Sequence, residues 1–203
     1  MTENYERQEL HDRLSLIESM IAEGRRTTES WGWTFVLWGV AYYVAIAWAT
    51  WGSGKWAWPV TMIAAGMLTG MLASRQAGRR PETTMGRAIG AIWIALGISM
   101  FVLFMAMGFS HRFETHVFVA IVGAMLGMAN ATSSMVLKWK AQFACAVVWW
   151  AAAVAACFGT EDQCTIVFLA AIFFAQIVFG IYAMICEARR RRLHNASAGA
   201  TNG

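Results

Sequence analysis

Charge is what this chain has least of. Asp, Glu, Lys and Arg make up 14% of its 203 residues, against 58% hydrophobic. That balance departs from soluble composition towards a chain that lives in lipid. The scarcity is also patterned, because no Asp, Glu, Lys, Arg or His lies in the middle of any long apolar run. Ion-coupled transporters and proton relays place an ionisable group at mid-membrane, so the absence argues against both. Catalytic signatures are missing as well: there is no H-E-x-x-H, no G-x-S-x-G turn and no Walker-type phosphate loop. Gly97-Ile98-Ser99 and Gly108-Phe109-Ser110 begin like a serine motif but lack its second glycine. These absences point to a protein that is not an enzyme and carries no cofactor. The first thirty residues have no short apolar core and no small-residue cleavage site, so no signal peptide is expected and the first span directs insertion.

What is present is a series of apolar runs. From Ser30 to Gly54 there is no charged side chain. About 20 apolar residues in a helix cross the roughly 30 Å hydrocarbon layer, and backbone amides in lipid must be satisfied within the segment. Trp31 and Trp33 at one end, and Trp48, Trp51, Trp56 and Trp58 at the other, suit two interface belts. Five further runs follow, with Pro59 near the start of the second, where a missing amide costs little. The expected spans are 33–51, 57–74, 88–109, 117–137, 141–158 and 164–186. The expected fold is therefore an all-α polytopic membrane helix bundle, six transmembrane helices as three hairpins, with a cytosolic amphipathic helix before them. Residues 1–29 form that helix and its collar, 30–188 the membrane domain, and 189–203 a basic and then disordered cytosolic tail.

Basic residues set the orientation. Of the sixteen, only Lys55 and Arg112 fall in the first, third or fifth connection. Both termini are thus expected in the cytoplasm. The net charge of +4 follows from this topology and does not indicate nucleic-acid binding. Arg189 to Arg192 serve the same signal, and the same four side chains suit anionic headgroups.

The amino-terminal arm holds seven acidic and four basic groups. Leu10, Leu14, Ile17 and Ile21 recur at helical spacing, with Leu16 and Met20 beside them. Glu3 with Arg7, and Glu9 with Arg13, are i,i+4 pairs in the favourable order. A helix from Glu3 to Glu23, ending near Gly24, is expected. Its apolar stripe folds back on the bundle or lies along the headgroups, or else the helix docks on a protein or dimerises, through residues 3–24.

Several constellations invite a role. Gly66 and Gly70, Gly86 and Gly90, and Gly123 and Gly127 are small-xxx-small pairs, which let helices approach closely in lipid. They pack the bundle internally or support a homo-oligomer. Gln176, Asn130, Tyr42 and Tyr43 are the polar groups available for a pocket, with Trp149 and Trp150 near them in kind. His111, Glu114 and His116 share one connection at H-x-x-E-x-H spacing, a weak pattern for a metal; a solvated loop explains it better. Cys157 and Cys164 flank a tight turn, either bridged or as free thiols. Trp38, Trp93 and Trp149 recur at steps of 55 and 56, and Gly66, Gly123 and Gly180 at steps of 57. Triplication of a hairpin would produce that period, and so would six short-looped spans.

The run LIESMIAEGRR, then FVLWG inside the first span, resembles the start of small bacterial six-span integral membrane proteins of uncharacterised activity. Ile17, Met20, Ile21, Trp38 and Gly39 carry the resemblance, over about the first fifty positions. It implies this architecture in a bacterial inner membrane, and no site. The leading functional expectation is a non-enzymatic interaction, accessory or sensory membrane subunit, partnered by the lipid bilayer and by a second copy or another protein. The alternative is a transporter or channel for a small uncharged or lipophilic solute.

Overall fold

The computed structural model describes residues 2–52, 54–77, 84–110 and 114–200, and no strand occurs among them. The arm forms α1 (Thr2–Ser30), and the apolar runs form α2 (Gly32–Trp51), α3 (Ala57–Ala77) after a 3₁₀ turn at Gly54–Trp56, α4 (Thr84–Ser110), α5 (Thr115–Leu137) and α6 (Lys140–Phe158). The last run begins as α7 (Glu161–Ile172), widens into a π turn over Phe173–Val178 and continues as α8 (Phe179–Ala200). Among the described residues, six helices are long and apolar enough to cross a membrane. They overlap the six expected runs, the last extending from Glu161 to Leu193.

Local chemistry explains the junctions. Thr160 opens α7 with a capping box: the Gln163 amide N–H donates to Thr160 Oγ1 at 3.4 Å, and the Thr160 N–H donates to Gln163 Oε1 at 2.9 Å. Two orphan donors are thereby satisfied within the tight TEDQ turn. At the end of α5, Lys138 adopts φ = 50° and ψ = 41°, the left-handed region. Its N–H reaches Met135 O, and the Trp139 N–H reaches Ser134 O at 2.9 Å. This is the Schellman pattern, which usually takes glycine at the left-handed position.

Two expectations about the ends need correction. The first helix does not stop at Gly24 but runs to Ser30. Gly24 is there for closeness: a Cβ would sit 2.5 Å from Met85 Cγ and 2.9 Å from Leu137 Cδ2. The polar stretch after Arg192, expected to be disordered, is helical as far as Ala200, where α8 ends; residues 201–203 lie outside the described residues. Arg and Ala are good helix formers, and Arg191 pairs with Glu187 one turn back, at 2.6 Å.

The core lies around α5, α6 and α7. Some 61% of the fourth apolar span is buried, against 11% of the second. The most extensive helix pairing is α5 with α6, across the boundary between the second and third hairpins. Gly123 makes it possible, since a Cβ there would lie 2.8 Å from Trp149 O. Gly127 lies directly against the Trp150 ring. Phe118 gathers the far end of the bundle, with ring centroids 5.1 Å from Trp58, 5.0 Å from Phe104 and 5.7 Å from Phe168. Helices α2 and α8 meet backbone to backbone: a Cβ on Gly180 would lie 2.7 Å from Gly32 O.

Helices α3 and α4 are peripheral. Among the described residues, no Cα of one lies within 8 Å of a Cα of the other. A Cβ on Gly66, Gly70, Gly90 or Gly97 would meet nothing within 4 Å. The small-xxx-small pairs therefore differ: Gly123 and Gly127 pack the bundle, while Gly66 and Gly70 face outward. The glycines at steps of 57 are also inequivalent, with Gly66 open and Gly123 and Gly180 in close backbone contact. Their shared spacing needs no more than six spans with short loops.

Candidate functional site

The end of the bundle that carries α1 and the end of α8 holds the densest polar chemistry. The Gly32–Gly180 crossing lays α8 beside the junction of α1 and α2. There Glu29 is buried, with 1% of its side chain exposed. Arg25 Nε donates to Glu29 Oε1 at 3.2 Å, and Arg190 Nη2 donates to Glu29 Oε2. A buried carboxylate is costly unless paired and hydrogen-bonded, and here each oxygen has its own guanidinium. Arg25 also lies over the Trp139 ring, 5.1 Å from its centroid. Ring quadrupole and carboxylate together hold that cation in one place. The chain positions 29 and 190 are thus tied by one ionic lock that fixes the base of α1 to α8.

Beside the lock is an open-sided cleft of about 440 Å³. On α1 it is lined by Glu18, Ile21, Ala22, Arg25 and Arg26. Leu137, Lys138 and Arg190 form the other wall. Four cations thus meet one lining carboxylate. Among the described residues, no hydrogen bond or ion pair engages the side chains of Arg26 and Lys138. Lysine in the left-handed region carries steric strain that glycine would avoid. Lys138→Gly is accordingly expected to raise stability by about 0.5–1 kcal/mol, net of the extra chain entropy of glycine. Thermal unfolding in detergent measures it; a loss of stability would show that the lysine side chain holds the turn.

The residues singled out from sequence are dispersed. Tyr42 packs into an aromatic group, 6.1 Å from both Trp58 and Phe168. Tyr43 donates its hydroxyl to Leu169 O at 2.9 Å. Asn130 is fully buried and donates to Leu126 O of its own helix at 2.9 Å. Gln176 is buried in the π turn, where the Cβ position of Gly39 lies 3.1 Å from its Cβ. Trp149 is wholly buried, and Trp150 covers Gly127. Tyr42 and Trp149 share Phe168 as a ring neighbour, while Tyr43, Asn130, Gln176 and Trp150 each engage another part of the bundle. Gly86 lies on α4, in the helix whose Gly90 is open. One buried side chain went unmarked in the sequence: Gln142 on α6, neither of whose amide atoms has a hydrogen-bond partner.

At the far end, Glu114 is the exposed residue before α5, without a side-chain capping bond. His111 lies outside the described residues, and no group of three metal-type ligands occurs among those described. His116 turns instead to α6 and α7. Its Nδ1 lies 3.0 Å from Ala156 O and 3.2 Å from Cys164 Sγ, and Sγ is 3.5 Å from the same carbonyl. This thiol–imidazole contact spans 48 positions and is not visible in sequence. It does not make an activated nucleophile. A carbonyl oxygen can only accept, so an Nδ1 at 3.0 Å is assigned the proton, and that nitrogen has no lone pair left for the thiol's proton. Cys157 and Cys164 are both free thiols, Cys157 donating to Ala153 O at 3.4 Å.

No protein-family model matches the chain, and neither does any curated protein or solved structure.

Proposed function

We propose that this protein is a non-enzymatic interaction subunit of a bacterial inner membrane, and that it self-associates through α1. The asymmetry of basic residues supports an orientation with both termini and the cleft in the cytoplasm. The observation that carries the proposal is the state of the α1 stripe. Leu10, Leu14 and Ile17 are 64%, 54% and 52% exposed, while the base of the same helix is packed by Gly24 and held at Glu29. That exposure speaks against the stripe folding back on the bundle and leaves it open to the headgroups or to a protein partner. A rigidly mounted helix presents apolar side chains to the space above the bundle.

A second copy suits that stripe. Leu10, Leu14 and Ile17 follow the 4-3 spacing of the a/d seam of a short coiled coil, and Ile21, next in that register, turns to the cleft at the base of the helix. In a parallel pair, Arg13 faces Glu18 of the other copy across the seam, and Glu6 faces His11, so the flanking charges agree with the register. Two heptads alone are marginal in water. Confinement of both copies to one membrane raises their effective concentration and offsets that weakness. A solute pathway through Gln176, Asn130, Tyr42 and Tyr43 has less support, because the bonds Tyr43 and Asn130 make run to separate backbone carbonyls, Leu169 O and Leu126 O, and not to one another. Light scattering in mild detergent tests the proposal. The full-length protein is expected at a multiple of the 22.4 kDa chain mass, and a form lacking residues 1–20 at the chain mass. Equal masses for the two forms would overturn it.

A further inference from the structure

We propose that the cleft at the basic end is a binding site for a phosphate-bearing anion. The inference does not depend on pairing through α1. Its first support is charge. Arg25, Arg26, Lys138 and Arg190 line one space of about 440 Å³. Glu18 on the lining and Glu29 behind it balance two of the four cations, which leaves two positive charges to be met. A phosphate diester carries one negative charge and a monoester nearly two.

The second support is the division of labour among the cations. Arg25 and Arg190 are held by Glu29 and so have fixed positions. Arg26 and Lys138 face the same space and engage no other side chain among the described residues. A pair of anchored guanidiniums beside two free cations is a preorganised anion site with adjustable arms. The third support is the backbone at Lys138. The turn that ends α5 requires a left-handed residue, with φ = 50°. Glycine would fill that position without strain, and the chain carries a cation there instead, pointed at the cleft lining.

The rest of the lining fits an amphipathic ligand. Ile21 and Leu137 give the cleft an apolar wall beside its cations, and the space is open on one side. A phosphate with a short glycerol-like extension is accommodated by that arrangement. The shared chemistry is a phosphate oxyanion, and it has two sources: the headgroup of an anionic phospholipid in the adjacent leaflet, or a free phosphate ester.

The test uses the full chain and an Arg26→Gln/Lys138→Gly variant, which leaves the Glu29 lock untouched and replaces a strained residue by glycine. A cooperative unfolding transition at or above the temperature of the full chain establishes that the variant is folded. In one arm, protein in mild detergent is mixed with phosphatidylglycerol or phosphatidylcholine, and retained lipid is read by native mass spectrometry. In the other, inorganic phosphate and glycerol 1-phosphate are titrated in phosphatidylcholine nanodiscs by calorimetry. Preferential retention of phosphatidylglycerol by the full chain, weakened about tenfold in the variant, assigns the site to lipid. Binding of the soluble phosphates alone, lost to the same extent in the variant, assigns it to a free ester. The proposal is overturned by equal retention of the two lipids together with no soluble binding, or by binding that the two substitutions leave unchanged.

Discussion

Gly180→Leu is expected to destabilise the protein by about 3 kcal/mol and to separate α2 from α8, whereas Gly66→Leu is expected to change stability by less than about 0.5 kcal/mol. The two glycines look alike in sequence, each in an apolar run of similar composition. Their surroundings decide the difference. At Gly180 a Cβ would lie 2.7 Å from Gly32 O and 3.0 Å from Val36 N. Both are backbone atoms, so neither can rotate away, and the helices must part to admit a side chain. At Gly66 a Cβ would meet nothing within 4 Å. Separation at Gly180 would also withdraw α8 from Glu29, adding loss of the lock to loss of packing. Thermal unfolding of both variants in one detergent checks the contrast, and equal shifts would show that α2 and α8 do not meet at these glycines.

Glu29→Gln carries the second large effect, a loss of about 2 kcal/mol. Removing one partner from a fully buried ion pair costs roughly 3–5 kcal/mol. The value here is smaller because the side chains of Arg25 and Arg190 are 41% and 38% exposed, so water screens them once the carboxylate is gone. Glutamine keeps the shape and one acceptor, so the loss reports charge pairing more than packing. Arg190→Gln should lose less, since Arg25 still satisfies one carboxylate oxygen. The double substitution should fall short of the sum of the two, because both act on one contact. Additive losses would show that Glu29 and Arg190 are not partners.

The two sites differ in how far they could be read from the chain. Spans were legible because each rests on one repeated choice, water or lipid, made over about twenty residues at a time. The end of α1 was not. Glycine after a helical run usually marks a stop, and only the position of Met85 and Leu137 shows Gly24 to be a packing residue. The small-xxx-small pairs were equally ambiguous, since the motif states that a close approach is allowed and not that a neighbour is there. Gly127 has one and Gly70 has none.

In the sequence Glu29 is one acid among the seven of the arm. A local signal for it existed: it is the last charge before the first span, four residues after Arg25. The decisive partner, Arg190, lies 161 positions away, and no period or motif connects them. The cleft was invisible for the same reason, as its walls come from α1, the turn after α5 and α8. At Lys138 the lysine itself concealed the left-handed turn that glycine would have announced.

The central claim is that α1 stands on the bundle as a docking helix for a second copy. Oxidative crosslinking in intact membranes tests it most directly, with Leu14→Cys on the seam and Ser15→Cys on the neighbouring face, and the native protein as control for its four cysteines. A parallel pair predicts a covalent dimer from Leu14→Cys well above the control and little from Ser15→Cys. No dimer from Leu14→Cys, or equal dimer from both positions, would contradict the account.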